Sequence, residues 1–171
     1  DVLIVNAAGN DGKNMDVRKS YPTDSKDLVT EFIDNVITIG ASSLYFNENL
    51  PASFSNYGQT NVDIFAPGVD VYSTIPKDEY EPLSGTSMAA PSTAGVAALI
   101  RSYYPGLSAK NVKYILMNSG VKITFDVIKP GSQTEENQKG ELISFSELSV
   151  SGRIINAYNA LRLADFLSRK K

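Results

Sequence analysis

Short apolar runs alternate with longer apolar or amphipathic segments along this chain. Four runs have the length of buried β-strands, and they cover residues 2–7, 36–41, 62–65 and 71–74. Three longer segments predict helices that begin near Ser87, Ala109 and Asn156. Because strands that alternate with helices are typical of a mostly parallel sheet flanked by helices, we predict an α/β fold.

The segment after Ser87 is apolar on nearly every helical face, which predicts a buried helix. Gly85 and Thr86 suit a tight turn and a helix N-cap, and Pro91 is close enough to the start that its missing N–H costs little. Ser87 would then lie at the positive end of the helix dipole, where free backbone N–H groups stabilise an oxyanion. An ordinary cap on a core helix is the alternative interpretation.

A second candidate for chemistry follows the first predicted strand. Residues 2–7 lead into a loop in which Asn10 lies just past the carboxyl end of the strand, the edge where open α/β sheets bind ligands. Asn10, Asp11 and Gly12 are also common turn residues. The local sequence therefore leaves a turn and a functional role both open.

Composition and charge narrow the function classes. A length of 171 residues suits one domain, and 42% hydrophobic residues are enough for a core. The net charge of −3 argues against nucleic acid, and the absence of cysteine excludes disulfides and thiol chemistry. The apolar runs are shorter than the ~20 residues of a membrane span. Asp11 and Asp16 lack the spacing of a calcium loop, so we predict no metal and no cofactor.

Five segments follow an order that occurs in a known protein family. Residues 85–91 read Gly-Thr-Ser-Met-Ala-Ala-Pro, and residues 7–10 read Ala-Ala-Gly-Asn. Residues 52–58, 62–68 and 152–157 add three further blocks. Together the five resemble the subtilisin-like serine proteases, the subtilase family, in which the first two blocks surround the catalytic serine and the oxyanion asparagine. One block alone would be a weak signal, but five in order are specific.

The resemblance implies roles for particular residues. Ser87 would be the nucleophile that forms an acyl-enzyme, and the side-chain NH₂ of Asn10 would stabilise the tetrahedral intermediate together with the backbone N–H of Ser87. Ala7, Ala8 and Gly9 would form one wall of the primary specificity pocket and would also bind the substrate backbone. Their small side chains would leave room for a sizeable apolar group. The opposite wall of the pocket is expected near residues 20–22.

The chain contains no histidine. Removal of the proton from Ser87 Oγ needs a base near neutral pH, and imidazole is the side chain whose ordinary pKa suits that task. In subtilases the order along the chain is aspartate, histidine, serine, so the resemblance puts both missing members before Asp1. We therefore expect residues 1–171 to be the C-terminal part of one catalytic domain, inactive without the N-terminal part that bears the Asp and His.

Two alternatives stay open. A Ser-Lys pair with Lys77 or Lys110 would supply a base within the chain, although no spacing supports it. A catalytically dead subtilase-like module that binds peptides is the alternative function. Because such a module has no need for both Ser87 and Asn10, their presence favours a serine endopeptidase that hydrolyses peptide bonds.

Two stretches diverge from the family pattern. Residues 26–34 lengthen the segment before the second predicted strand. Residues 122–150 form an insertion in which residues 129–140 are polar and predict a solvated loop. The flanks of that loop alternate between apolar and polar residues, which predicts the two strands of a hairpin.

The expected partners follow from the resemblance. The substrate would be a polypeptide, with neither nucleic acid nor a membrane involved. Without N-terminal strands and helices, residues 2–5 and part of the central helix would expose apolar surface. We expect the isolated chain to need its N-terminal part, to oligomerise or to rearrange its strands. Because many subtilases are secreted, we also expect a secreted or cell-envelope protein.

Overall fold

Nine strands and three helices follow one another in the computed structural model, which describes residues 1–169. The strands are β1 (Ile4–Ala7), β2 (Val36–Ser42), β3 (Ile64–Pro67), β4 (Val71–Ile75), β5 (Glu79–Leu83), β6 (Val121–Lys122), β7 (Asp126–Ile128), β8 (Leu142–Ser144) and β9 (Arg153–Ile154). The helices are α1 (Thr86–Tyr103), α2 (Ala109–Ser119) and α3 (Ala157–Ser168), and a turn of 3-10 helix spans Phe145–Glu147.

The central sheet has the strand order β1-β2-β3-β9-β6. Strands β1, β2, β3 and β9 run parallel to one another, and β6 pairs antiparallel with β9. All seven residues of β2 are buried, as expected for a parallel strand that is covered on both faces. The predicted α/β fold with a mostly parallel sheet is confirmed.

Alternation along the strands divides the core between the two faces of the sheet. Ile37, Ile39 and Ile64 belong to the larger core, which includes buried residues of α1, α2 and α3. Phe65 points the opposite way and meets Phe145 edge-to-face, with ring centroids 5.3 Å apart. A Cβ on Gly40 would lie 2.7 Å from the Phe65 ring, so this strand position must be glycine to admit the ring.

Two hairpins lie outside the central sheet. The run at residues 71–74 becomes β4, which forms an antiparallel hairpin with β5. The sequence did not indicate β5 because Glu79 and Glu81 interrupt its apolar pattern, and all five of its residues are exposed. The hairpin predicted within the insertion is confirmed as β7 paired with β8, and residues 133–139 between them are exposed.

Helix α1 is buried where it packs on the sheet but not on every face, so the expectation of a fully buried helix is wrong, whereas the expected exposure of part of this helix is observed. Its exposed residues lie on one stripe that runs the length of the helix, and β1 beside it is an edge strand. Val2 and Ile4 are 68% and 47% exposed, and Leu99 borders the stripe with 38% exposed. Residues 1–169 provide nothing that covers this apolar surface. We call the line of exposed residues along α1 the open stripe, and it consists of Ser87, Pro91, Gly95, Ala98 and Ser102.

A buried charge cluster anchors the lengthened segment that precedes β2. Lys113 on α2 is 7% exposed, and its Nζ lies 3.0 Å from Glu31, 3.2 Å from Asp63 and 3.6 Å from Asp24. The backbone N–H of Thr38 donates to Asp63 over 2.7 Å. Burial raises the pKa of Asp63 to about 6, against the opposing effect of Lys113. One ammonium thus joins α2, the sheet and residues 24–31.

Replacement of Lys113 by Met is expected to lower the free energy of unfolding by about 3–5 kcal/mol, because it leaves buried carboxylates without a counter-charge. The matched control is Lys110→Met, one turn earlier on α2, where Lys110 pairs with Asp34 over 2.8 Å with both side chains largely exposed. The control should change stability little, because exposed ion pairs are well solvated. Urea denaturation measures both, and equal effects would refute the structural role of the cluster.

Candidate active site

Ser87 is the second residue of α1 and is exposed at the helix N-terminus. The N-cap is Gly85, and no side chain caps the helix there. Within residues 1–169, neither the backbone N–H nor the hydroxyl of Ser87 has a hydrogen-bond partner. The positive end of the helix dipole therefore presents a free N–H beside a free hydroxyl.

Asn10 lies three residues after β1 and is held against the start of α1 by Thr86. The Thr86 backbone N–H donates to Asn10 Oδ1 over 2.9 Å, and the Thr86 hydroxyl donates to the same oxygen over 2.8 Å. Two donors fix which end of the amide faces Thr86, because only the oxygen accepts. Asn10 Nδ2 then faces away, and in the described part of the chain it donates to no other group.

The two free donors lie close together beside Gly85. A Cβ built on Gly85 would lie 3.4 Å from Asn10 Nδ2, 3.5 Å from Met88 Sδ and 3.6 Å from Ser87 N. Position 85 carries no side chain, so the space beside both donors is not filled from there. Two neighbouring N–H donors next to a hydroxyl are the groups that an oxyanion hole requires.

Asn56 holds the loop that carries Asn10. Its Nδ2 donates to the carbonyl of Ala8 over 2.8 Å, and its Oδ1 accepts from the N–H groups of Asp11 and Lys13 over 3.1 and 2.9 Å. Gly9 adopts a φ of +101°, and a Cβ there would lie 2.5 Å from Asn56 Nδ2. Glycine is therefore required by both the backbone conformation and the close approach of Asn56.

The residues predicted to bind substrate lie at the free edge of β1. Because Ile4 and Ala8 donate their N–H groups toward β2, alternation directs the backbone groups of Ala7 toward the open edge. Ala7 and Ala8 form one wall of a cleft of about 20 Å³, and Ser20 and Pro22 lie on its other side, where the second wall was expected. The cleft has no room for a large side chain, because Met15 and Leu28 also line it.

No group in the described part of the chain is placed to act as the base for Ser87. Lys110 pairs with Asp34, and the hydrogen bond that it donates to that carboxylate raises the pKa of Lys110, which favours its protonated form. Lys77 lies in the exposed turn between β4 and β5. A Ser-Lys pair therefore has no support from the geometry. Residues 1–169 hold no group of three metal-ligating side chains, and none of their helices has the length and apolarity to cross a membrane.

The sequence did not reveal two residues that position the site. Thr86 was predicted to cap α1, but its hydroxyl instead bonds Asn10 and accepts from the N–H of Gly9 over 3.1 Å. Asn56 belongs to the block at residues 52–58, whose sequence gave no role for it. In both cases the contacts join segments at least 43 residues apart in the chain.

A model of the Subtilase family, Peptidase_S8, matches residues 1–147. Subtilisin DY of Bacillus licheniformis is 41% identical over 123 residues, which cover 71% of this chain and 40% of that protein. The Cell wall-associated protease of Bacillus subtilis (strain 168) is 35% identical over 143 residues, or 84% of this chain and 14% of that protein. The chain thus spans less than half the length of these curated relatives.

Solved structures show the same fold. The subtilase cytotoxin SubAB assembly contains a chain that superposes with a TM-score of 0.73 at 25% identity, covering 97% of this chain and 50% of that one. The self-cleaved protease domain of PatA superposes with a TM-score of 0.64 at 29% identity, covering 96% and 51%. The likeness therefore extends over nearly all of this chain and about half of each neighbour.

Replacement of Thr86 by Val is expected to lower the free energy of unfolding by about 1–3 kcal/mol, because Gly9 N–H loses its acceptor and Asn10 loses a donor. Thr93→Val is the matched control, since the hydroxyl of Thr93 is buried in the same helix and bonds only the Ala89 carbonyl. Urea denaturation should show the larger loss for the Thr86 variant. A larger loss for the Thr93 variant would contradict the positioning role of Thr86.

Proposed function

This chain belongs to the subtilase family, and from that premise we propose that it carries the nucleophile and oxyanion hole of a subtilisin-like serine endopeptidase. One observation carries the proposal: Asn10 Nδ2 and the Ser87 N–H lie 3.4 and 3.6 Å from the same point beside Gly85. A module that only binds peptides has no need for two convergent donors next to a free hydroxyl.

In the proposed reaction, Ser87 Oγ attacks the carbonyl carbon of the scissile peptide bond while its proton passes to a base. The carbonyl oxygen becomes an oxyanion that accepts from Asn10 Nδ2 and from the N–H of Ser87. The amine then leaves with the proton, and water hydrolyses the acyl-enzyme on Ser87. Thr86 and Asn56 act as positioning residues, because they orient Asn10 without touching the substrate.

The substrate class in this proposal is a polypeptide. The free edge at Ala7, with Ala8 and Gly9 beyond it, would bind the backbone on the acyl side of the scissile bond as an added strand. The cleft behind Ala7 and Ala8 would take the side chain next to that bond. Because its volume is about 20 Å³, segment 20–28 must shift for any but a small side chain to enter.

We propose that the base belongs to an N-terminal part of the same catalytic domain, which also bears the triad Asp, and that residues 1–171 are the C-terminal part. The open stripe begins at Ser87, so an element that covers it also reaches the nucleophile. A Cβ on Gly95, in the middle of the stripe, would meet no atom within 4 Å. The stripe therefore has room for a closely packed backbone.

A location follows from the family in the same way. One relative is named a Cell wall-associated protease, and another is Subtilisin DY. We propose that the protein containing this chain is secreted or located in the cell envelope.

In the complete protease, Ser87→Ala and Asn10→Ala should each lower kcat with little change in KM, because both residues act mainly in the transition state. The loss expected for Asn10→Ala is about 10²- to 10³-fold, a magnitude taken from subtilisin itself and not calculated for this chain. Ser92→Ala is the control, since its hydroxyl bonds the Met88 carbonyl instead. Peptide hydrolysis measures all three. If the wild type binds peptides but does not cleave them, the catalytically dead module is the correct function.

Isolated residues 1–171 should not form a cooperatively folding monomer, because Val2, Ile4 and Leu99 expose apolar surface beside an unpaired strand edge. Size-exclusion chromatography with light scattering and thermal unfolding measure this. We expect oligomers or a non-cooperative transition, and restoration of a cooperative transition when the N-terminal part is added. A monomer with a sharp transition would contradict the proposed division of the domain.

A further inference from the structure

A cavity of about 500 Å³ lies between the loop that follows β2 and the β7–β8 hairpin of the insertion. Its volume is in the range of ligand-binding clefts, and it is open to solvent. The loop after β2 contributes Tyr45, Pro51 and Phe54, and the insertion contributes Ile128 and Gln133. Val69, in the turn between β3 and β4, completes the apolar part of the lining. We call it the ribbon cavity.

Specific contacts hold the insertion against this loop. Phe46 packs edge-to-face on Phe125, with ring centroids 5.3 Å apart. The N–H of Ile128 donates to the carbonyl of Glu48 over 2.8 Å, and the N–H of Gly131 donates to the carbonyl of Ser53 over 2.9 Å. The base of the insertion is therefore docked on the protein, although its tip at residues 133–139 is exposed as the sequence predicted.

Two backbone hydrogen bonds connect the wall of the ribbon cavity with the candidate active site. On the Asn10 side, the N–H of Gly12 donates to the carbonyl of Phe54 over 2.8 Å, and Phe54 lines the cavity. On the Ser87 side, the N–H of Gly85 donates to the carbonyl of Gly68 over 2.7 Å, and the adjacent Val69 lines the cavity. The cavity wall is thus built from residues bonded to, or next to, those that position both catalytic groups.

The insertion also touches the oxyanion loop itself. A Cβ on Gly12 would lie 2.7 Å from the Cα of Gly131, and φ is positive at both glycines. The backbones meet so closely that no side chain fits between them. Ala7 to Gly9 precede Asn10, whereas the contacts of Gly12 with Phe54 and Gly131 follow it. In the sequence of this loop, the predicted acyl-side residues and the contacts with the ribbon cavity therefore flank Asn10.

The lining of the ribbon cavity selects against charge. Its eleven residues include none with an ionisable acid or base other than the Tyr45 phenol. Tyr45 is 67% exposed, so its ring is available to a ligand. Apolar surfaces of Phe54, Val69 and Ile128 favour an aromatic or aliphatic side chain, and a charged one would lose hydration without gaining a partner.

We propose that the ribbon cavity is a specificity site that binds an uncharged aromatic or aliphatic side chain of the polypeptide substrate on the leaving-group side of the scissile bond. This inference rests on the proposed function. The acyl side lies along Ala7 to Gly9, and the chain that leaves across Asn10 and Ser87 enters the cavity between Phe54 and Val69. Tyr45 and Ile128 then determine which substrates are cleaved fastest.

The test uses the complete protease and two series of peptides that are identical up to the scissile bond. In the apolar series, Phe or Leu occupies one of the first four positions after that bond, a different position in each peptide. In the second series, Asp occupies the same positions. Tyr45→Ala should lower kcat/KM about tenfold for the apolar peptides at one or more of these positions and leave the Asp peptides unchanged. Tyr45→Phe should retain the wild-type values, because the ring makes the contact.

Two controls separate this site from general damage. Tyr114→Ala removes a 54% exposed tyrosine from α2, which does not line the cavity, and should leave every value unchanged. A substrate with the same acyl side but a p-nitroanilide leaving group does not reach the cavity, so its hydrolysis should be the same in wild type and Tyr45→Ala. Tyr45→Lys should reverse the preference in favour of the Asp peptides.

The outcomes distinguish the inference from the function on which it rests. If the wild type cleaves neither peptide nor anilide, the proposed function fails. If it cleaves both but Tyr45→Ala and Tyr45→Lys leave the ratio of apolar to Asp peptides unchanged, the ribbon cavity is not a specificity site. Equal loss for the anilide and the peptides would assign Tyr45 a structural role and also overturn the inference.

Discussion

The hydrogen bonds between Thr86 and Asn10 are the constraint on which the candidate active site depends. They join the carboxyl end of the edge strand β1 to the N-terminus of α1, across 76 positions in the sequence. Both bonds end on Asn10 Oδ1, so they orient the whole amide and leave its NH₂ directed at the space beside Gly85. Asn56 holds the other side of the same loop through Ala8, Asp11 and Lys13. In the proposed function, preorganisation of this kind holds the donors in place before charge develops, and so reduces the reorganisation needed during reaction.

The buried and exposed faces of α1 have different roles. Its buried face, with Ala89, Thr93 and Ile100, packs on the sheet and fixes the helix axis. Its exposed face begins with Ser87 and continues through the open stripe. This chain therefore positions Ser87, the proposed nucleophile, whereas its surroundings depend on what packs on the open stripe. Small residues along the stripe permit a close approach, in keeping with helix packing at short interaxial distance.

Periodicity and short motifs predicted β1, β2 and β3 of the central sheet, the three helices and the insertion hairpin, because each depends on residues close together in sequence. They did not predict β6 and β9, which have two residues each and therefore no periodic pattern. Ser108 and Asn156 cap their helices as local rules indicate. The exceptions involve contacts distant in sequence. Thr86 looks like a cap until Asn10 is placed beside it, and Lys113 looks like a solvated helix residue until Asp24, Glu31 and Asp63 surround it. Strand β5 was not predicted because it is exposed and has no apolar pattern. It is stabilised by pairing with β4 and by stacking of Tyr80 on Tyr72.

The buried charge cluster gives the fold an uncommon relation to acidity. One ammonium faces three carboxylates, so the cluster carries excess negative charge when all are ionised. Because the pKa of Asp63 is raised from its ordinary 3.8 to about 6, the folded state takes up this proton more readily than the unfolded chain. The contribution of Asp63 to stability is therefore greatest below pH 4 and declines as the pH rises to about 6. Whereas a carboxylate whose pKa is lowered by an ion pair loses that stabilisation in mild acid, Asp63 gains from it, because protonation removes a buried negative charge from a cluster that has one cation for three carboxylates.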